Sequence, residues 1–456
     1  MVKFCVRLVV LFCFLLAPGV ALAEGFALYE WGARGMALGG AMMGRQPDPS
    51  AVAYNAALLT RLPGKQAMVG ITGVRPTGRF DKADPPQGGE MATTNLNTNI
   101  WSIPHAFYTH QISDDWYFGL GAFTRFGLGL NYPSEWPGRF NVRNVELMTA
   151  SLNPSIAWKA TNKLSFGGGV ELMYVTLDLK RRNLVPLDPA LGAQTLFLAG
   201  TNMEVDAAIT DAQGWGIGGN LAVHYQFNDQ WAVGIQYRSK VRVRAEGDVK
   251  FSNMGLHSGP GVDNSDFTPP AEAVAGGLFN NVFNDGKARS TVTLPDSVSA
   301  GISWTPTPDL SIEVGAIWTQ WSTFRSLDIE MPGALDTSVN HKRWKDVWRL
   351  NAGVEYQALD WLTLRAGYVW DQSPVPNRYQ DYLVPTGDRH MGSVGFGFQW
   401  GEDNAWTLDF AYAYIKPKNR FYDYRPGNGP GDTNTVKGNT RNMYTQLAAV
   451  SLGYRW

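Results

Sequence analysis

The feature that most constrains this chain is a two-residue alternation held over stretches of about ten residues. From residue 344 to residue 356 the even positions are Trp344, Asp346, Trp348, Leu350, Ala352, Val354 and Tyr356. The odd positions are Lys345, Val347, Arg349, Asn351, Gly353 and Glu355. Leu362, Leu364, Ala366, Tyr368 and Trp370 alternate in the same way with Thr363, Arg365, Gly367, Val369 and Asp371, and the chain ends on Val450, Leu452, Tyr454 and Trp456 against Ser451, Gly453 and Arg455. Successive side chains of a strand point to opposite faces, so one face is greasy and the other polar or small. A soluble sandwich also alternates. Here the strands exceed the ~5–6 residues usual in soluble proteins, and aromatics gather at their ends. Beyond residue 23 no window approaches the ~18 unbroken apolar residues of a spanning helix. In lipid, such a chain can satisfy its backbone only as a closed barrel.

About fourteen such segments begin near Gln66, Asn99, Trp116, Glu146, Lys163, Gly214, Gln230, Arg289, Asp309, Trp344, Asp360, Arg389, Asn404 and Arg441. Alternate connections are short, among them Ser113-Asp114-Asp115, Thr161-Asn162, Asn228-Asp229 and Glu402-Asp403. The others are long: 76–98, 131–144, 181–212, 247–288, 323–343, 372–388 and 416–440. Short periplasmic turns opposite long extracellular loops are the asymmetry of a bacterial outer-membrane barrel. The fold class expected is all-β: a transmembrane antiparallel β-barrel over residues 66–456, with an N-terminal plug.

The N-terminus fits export. Lys3 and Arg7 precede an apolar run from Leu8 to Leu16, Pro18 and Gly19 break it, and Ala21-Leu22-Ala23 has the small-residue pattern of a cleavage site. Residues 1–23 therefore read as a secretory signal peptide. Both cysteines, Cys5 and Cys13, fall inside it, so the exported chain would carry neither disulfides nor thiolate metal sites. Net charge is −1, or −3 once Lys3 and Arg7 are removed, which gives no footprint for nucleic acid.

Residues 24–65 do not alternate. They are rich in Gly, Ala and Met, with Asp48-Pro49-Ser50 as a helix start. A barrel of this strand number encloses a lumen wide enough for such a segment, which is read as a hatch comprising Asp48, Pro49, Ser50, Asn55, Ala56 and Ala57.

Several motifs resemble those of the FadL family of outer-membrane transporters of hydrophobic compounds. They are Gly25-Phe26-Ala27-Leu28-Tyr29-Glu30 with Gly32-Ala33-Arg34-Gly35-Met36, Asp48 to Ala57 (with Ala56 where the family carries proline), Thr293-Leu294-Pro295-Asp296, Trp318-Thr319-Gln320-Trp321-Ser322, Trp344-Lys345-Asp346 with Arg349, Asp371-Gln372-Ser373-Pro374-Val375-Pro376, Gly387-Asp388-Arg389 and the terminal Trp456. The resemblance implies fourteen strands, a hatch, capture of ligand in extracellular loops, a deeper pocket, and lateral exit at a kink in the third strand. The ligand would be a long-chain fatty acid or an aromatic hydrocarbon. The implied partners are outer-membrane lipid, lipopolysaccharide and, through Trp456, the barrel-insertion machinery. A monomer without cofactor or metal is expected.

The candidate capture residues are Leu196, Phe197 and Leu198 in one loop and Val274, Leu278, Phe279, Val282 and Phe283 in another, where apolar residues four apart form one helix face. These could instead pack only on each other. Phe126-Gly127-Leu128-Gly129 is the candidate kink, because glycine in a strand suggests a bulge. Lys345, Arg349 and Arg365 face the lumen by parity and could meet a carboxylate, or pair with Glu313, Glu355 or Asp371. The six histidines, at 105, 110, 224, 257, 341 and 390, show no catalytic or metal spacing. The expectation is a transporter rather than an enzyme. A general porin and an outer-membrane lipase are the alternatives.

Overall fold

The computed structural model describes residues 25–84, 92–186, 201–258, 276, 277, 279–332, 335–385, 387–422 and 437–456. Fourteen antiparallel strands close into a barrel. They are β1 (Lys65–Asp84), β2 (Trp101–Gln111), β3 (Trp116–Phe123 and Gly127–Asn131), β4 (Asn144–Lys159), β5 (Leu164–Pro186), β6 (Thr201–Gln226) and β7 (Trp231–Arg238 and Val241–Ser258). The second half comprises β8 (Gly286–Leu294 and Ser297–Thr307), β9 (Leu310–Thr319), β10 (Val347–Leu359), β11 (Leu362–Asp371), β12 (Arg389–Trp400), β13 (Trp406–Pro417) and β14 (Lys437–Arg455). β1 closes the wall on β14, from Gln66 opposite Arg455 to Asp84 opposite Lys437. A hairpin, Ser326–Met331 with Leu335–His341, stands after β9.

The alternation becomes two faces. On β6, Ile217 and Leu221 are 69% and 70% exposed toward lipid, while Ala212, Asn220 and Ala222 turn inward and are buried. Beside the short turns, outward-facing aromatics meet across strands: Trp116 with Trp158, Trp231 with Trp304, Trp361 with the half-buried Phe398 and Trp400 with Trp406, at ring separations of 6.2, 5.7, 5.9 and 6.2 Å. This is the interfacial girdle that amphipathic rings form. Among the described residues, no helix is long and apolar enough to cross a membrane.

Two expectations need correction. Parts of the loops expected at 181–212 and 247–288 are strand, because β5, β6 and β7 run on to Pro186, from Thr201 and to Ser258. Those extensions pair with one another above the lipid band, as Asn183 does with Val205 and Phe251 with Ala207. They need no greasy outer face, so the membrane pattern cannot reveal them. The parity expected at residues 344 and 345 also fails. β10 begins at Val347, and in the irregular segment before it Trp344 is 4% exposed while Lys345 is exposed. Alternation holds only where the backbone is extended.

Residues 25–64 lie inside the barrel. They form two short helices, Ala33–Ala37 and Ala51–Tyr54, and a 3-10 segment, Ala56–Arg61. Just ahead of the second helix Asp48 accepts from the Ser50 N–H at 2.8 Å, and just after it Asn55 accepts from the Ala57 N–H at 3.1 Å. The wall is shaped to this segment. A Cβ on Gly353 would meet the Leu38 carbonyl at 2.6 Å, and one on Gly367 would strike the Leu38–Gly39 backbone. Close-packed interiors leave no room for such atoms.

Polar ties fasten the hatch to the wall. The Glu313 carboxylate, wholly buried on β9, accepts from the backbone N–H groups of Met43, Gly44 and Arg45 at 2.6, 3.0 and 2.9 Å. Arg34 donates twice to Glu355, at 2.8 and 2.7 Å. Arg238 donates to the carbonyls of Val52 and Ala53 at 2.9 and 2.8 Å, and Ser451 accepts from the Ala33 N–H at 2.9 Å.

Candidate functional site: the gap between β2 and β3

Beside the hatch the ladder between β2 and β3 is interrupted; among the described residues β6 and β7 also lack pairs between 214–218 and 240–245. Below the break, β2 and β3 pair from Gln111 opposite Tyr117 up to Ala106 opposite Ala122. Above it, Trp101–His105 of β2 pair with β1 alone. On that stretch β2 is an edge strand, and there it carries Pro104, which has no N–H to donate. On its other side β3 keeps β4, with Phe123 opposite Ser151 and Gly127 opposite Met148. Four steps on β3 answer three on β4, so β3 holds one extra residue and bends.

The bend sits on Thr124, Arg125 and Phe126, just before the glycines on which sequence placed it. Gly127 and Gly129 lie in the resumed strand, and neither has the positive φ that glycine alone adopts freely. Their role is spatial. A Cβ on Gly129 would run into the Trp101 indole, and one on Gly127 would press on Leu28 at 3.0 Å. Missing side chains on β3 let Trp101 and Leu28 lie across the gap.

Backbone from the hatch takes the place of the missing ladder. The Leu28 N–H donates to the Arg125 carbonyl at 2.8 Å, and the Gly127 N–H donates to the Phe26 carbonyl at 2.9 Å. Ala27 thus forms an antiparallel bridge with Phe126. The Trp31 indole donates to the Thr124 carbonyl at 2.7 Å, and the Thr149 hydroxyl on β4 serves both backbone groups of Phe126 at 2.9 and 3.0 Å. Each of these polar groups would be costly beside lipid if left unpaired. Arg125 turns inward to Glu171 at 2.9 Å, and Glu171 also binds Ser151 and Arg238, which holds the hatch. A narrow crevice opens here between Leu28, Trp31, Ile103, Pro104, Phe123 and Thr124.

Deeper in, aromatic rings surround Phe26. Its ring centre lies 4.8 Å from that of Trp321, 5.8 Å from those of Phe324 and Trp344, and 6.0 Å from that of Phe126. Trp321 and Trp344 are buried, and among the described residues neither indole N–H group finds an acceptor. Sequence reading missed this chamber. Its signal was present in Trp318 to Ser322 and Trp344 to Asp346, but parity had assigned Trp344 to lipid.

The other candidates are placed as follows. Arg349 lies between Glu30 at 2.8 Å and Asp371 at 3.5 Å, and Arg365 binds Glu355 and Asp409, each at 2.6 Å. Both are structural partners of acids, and Lys345 stands apart from them, exposed. Leu196, Phe197, Leu198, Val274 and Leu278 lie outside the described residues. Phe283 is buried against Phe251 of β7, with ring centres 5.5 Å apart, and stacks on Phe279 at 5.6 Å, whereas Val282 is 43% exposed. At the extracellular end Tyr132 stacks on Trp136 at 4.2 Å, beside Phe80 and Tyr382. Glu135 is held by Arg182 at 2.7 Å, and this hydrogen bond keeps its carboxyl below the usual range. Among the described residues, no group of acids and histidines could hold a metal.

A family model described as "Outer membrane protein transport protein (OMPP1/FadL/TodX)" matches residues 14–451. The chain belongs to this family. It is 25% identical to Outer membrane protein P1 of Haemophilus influenzae, over 96% of this chain and 95% of that one. It is 24% identical to the Long-chain fatty acid transport protein of Escherichia coli (strain K12), over 86% and 88% of the two chains. A Pseudomonas aeruginosa FadL homologue has the same fold, with a TM-score of 0.74, 20% identity, and coverage of 96% of this chain and 100% of that one. The Pseudomonas putida toluene transporter TodX has a TM-score of 0.69, 19% identity, and coverage of 95% and 100%. The chain is thus an outer-membrane FadL/TodX-type transporter of hydrophobic compounds.

Proposed function

We propose that this transporter carries long-chain fatty acids by capture in its extracellular loops, transfer to the aromatic chamber at Phe26, and lateral exit into the membrane between β2 and β3. The observation that carries the reading is the substituted ladder. The backbone rungs across the gap belong to Phe26 and Leu28, residues of the hatch rather than of the wall. A small displacement of residues 26–28 removes them and opens the wall toward lipid. An apolar chain favours that route, since each methylene kept from water is worth ~0.8 kcal/mol. Phe279 and Phe283, together with Leu196, Phe197, Leu198, Val274 and Leu278, are the proposed capture surface, and the cargo displaces Phe26 from the chamber. The unpartnered indoles of Trp321 and Trp344 favour a cargo with an oxygen acceptor, such as a carboxylate, over a hydrocarbon.

The test uses a cross-link. Ala27 and Phe126 face each other as a non-hydrogen-bonded antiparallel pair, the arrangement with the closer Cα spacing. In Ala27→Cys with Phe126→Cys, oxidation should stop oleate uptake and reduction should restore it. Undiminished uptake by the oxidised protein would rule out this exit. Aromatic hydrocarbon is the second reading, favoured by the shared fold with the toluene transporter. Growth on oleate against toluene, in cells lacking only this protein, separates the two.

A further inference from the structure

The outward face of β7 changes character above Tyr237. Below that point Trp231, Ile235 and Tyr237 meet the lipid. Above it Lys240, Arg242 and Arg244 are exposed, while the alternate residues Val241, Val243 and Ala245 are buried. The three cations therefore lie on the outer surface of the wall, away from the lumen.

Their height follows from register. Glu246 of β7 stands opposite Gln213 of β6. The ladder resumes with Arg238 opposite Asn220, and between these rungs a Cβ on Gly214 would meet the Arg244 carbonyl and one on Gly216 would lie 3.0 Å from the Arg242 carbonyl, so the two arginines lie at the height of Trp215 and Ile217, side chains 68% and 69% exposed. Trp215 meets Tyr174 of β5 with ring centres 4.9 Å apart, and the pair marks the upper aromatic edge of the lipid band. β7 continues from here to Ser258 and a long connection, so this edge is the extracellular one.

The nearby acids are taken. Glu246 binds Arg289 at 2.7 Å, Asp248 binds Lys287 at 2.6 Å, and Asp296 accepts from the Tyr237 hydroxyl at 3.3 Å. Among the described residues, no carboxylate pairs with Lys240, Arg242 or Arg244. Across the ladder, Arg242 and Arg244 face Thr293 and Thr291 of β8, and hydroxyls can add hydrogen bonds to an oxyanion. A guanidinium on a lipid-facing surface is destabilising unless it reaches the interface and finds polar company. At this height of an outer membrane that company is the phosphate layer of the outer leaflet.

We propose that Lys240, Arg242 and Arg244, with Thr291 and Thr293, bind the phosphate groups of lipid A, the phosphorylated glycolipid of the outer leaflet. Alternate residues on a strand recur about every 7 Å, so the two guanidiniums can hold one phosphate together or each hold its own. Arginine suits the task because its planar fork grips phosphate bidentately. The site lies on the outside of the barrel, away from the β2–β3 gap, and does not depend on the cargo.

The test measures lipid retained by the purified barrel, read by native mass spectrometry. Three probes are offered: bisphosphorylated lipid A, the same lipid after phosphatase treatment, and phosphatidylglycerol. Wild type should retain the first at least about tenfold better than the others, as expected for charge-assisted hydrogen bonds. Arg242→Gln with Arg244→Gln should lose that preference while keeping heat-modifiable gel mobility, and Arg242→Lys with Arg244→Lys should recover part of it. Lys287→Gln with Arg289→Gln, which removes cations already paired with acids, should keep it. Equal retention of the phosphatase-treated lipid by wild type, a preference for phosphatidylglycerol, or unchanged retention by the Gln variant would each overturn the proposal. The first two results need no variant to fold.

Discussion

The hatch meets the barrel in two different ways. Toward β9–β12 it rests on a finished wall: every rung is present, Gly353 and Gly367 make room for its backbone, and Glu313 and Glu355 hold it by charge. Toward β2 and β3 the wall is unfinished, and the hatch supplies rungs itself through Phe26 and Leu28. A segment bound by buried carboxylates is anchored. A segment bound by two backbone hydrogen bonds, each worth about 0.5–1.5 kcal/mol net, and by the Trp31 indole on the Thr124 carbonyl is held by less. On the proposed route, the same forty residues are a fixed stopper on one side and a latch on the other.

Removing the stopper should have the largest effect. Deletion of residues 25–64 should leave a barrel that inserts but passes small polar solutes, measured by liposome swelling. Permeability equal to wild type would mean that the lumen is closed by something other than the hatch. Next comes the anchor. Glu313→Ala frees three hatch N–H groups and leaves Arg45 buried without its carboxylate, a loss of about 3–5 kcal/mol by analogy with broken buried pairs. Polar-solute leak should rise while oleate uptake continues. A variant that loses uptake without leaking would show that the anchor and the latch are not separate.

Gly127→Val with Gly129→Val tests the latch side. Valine side chains there collide with Leu28 and Trp101. Uptake should fall with no new leak and with loop binding intact. Normal uptake, with folding verified by gel mobility, would remove the gap from the route. The smallest effect is expected far from both contacts. Leu278→Asp with Phe279→Asp should weaken oleate affinity without changing the sealed lumen, and unchanged affinity and uptake would exclude this loop as the capture surface.

Much of this molecule is legible in its residues. The alternation, the short turns and the aromatic ends place fourteen strands and the membrane band, because the period of a strand is local and lipid imposes it on every residue it touches. The extended β5–β7 hairpins escaped because that rule stops where lipid stops. Sequence also pointed to the third strand, but for a different reason than the one found. Glycine suggested a bulge, whereas the bulge lies on Thr124 to Phe126 and the glycines are spaces for Trp101 and Leu28.

Sequence by itself determined an exported, closed barrel with a small-residue segment fit to lie inside it. Only the tertiary structure decided which face of that segment is anchored and which stands in for the wall. It also decided that Arg349 and Arg365 answer to Glu30, Asp371, Glu355 and Asp409. The physical reason is separation along the chain. Ala27 meets Phe126, and Met43 meets Glu313, only once the barrel has closed around the hatch. No periodicity within a strand encodes a contact between a strand and a segment that does not alternate.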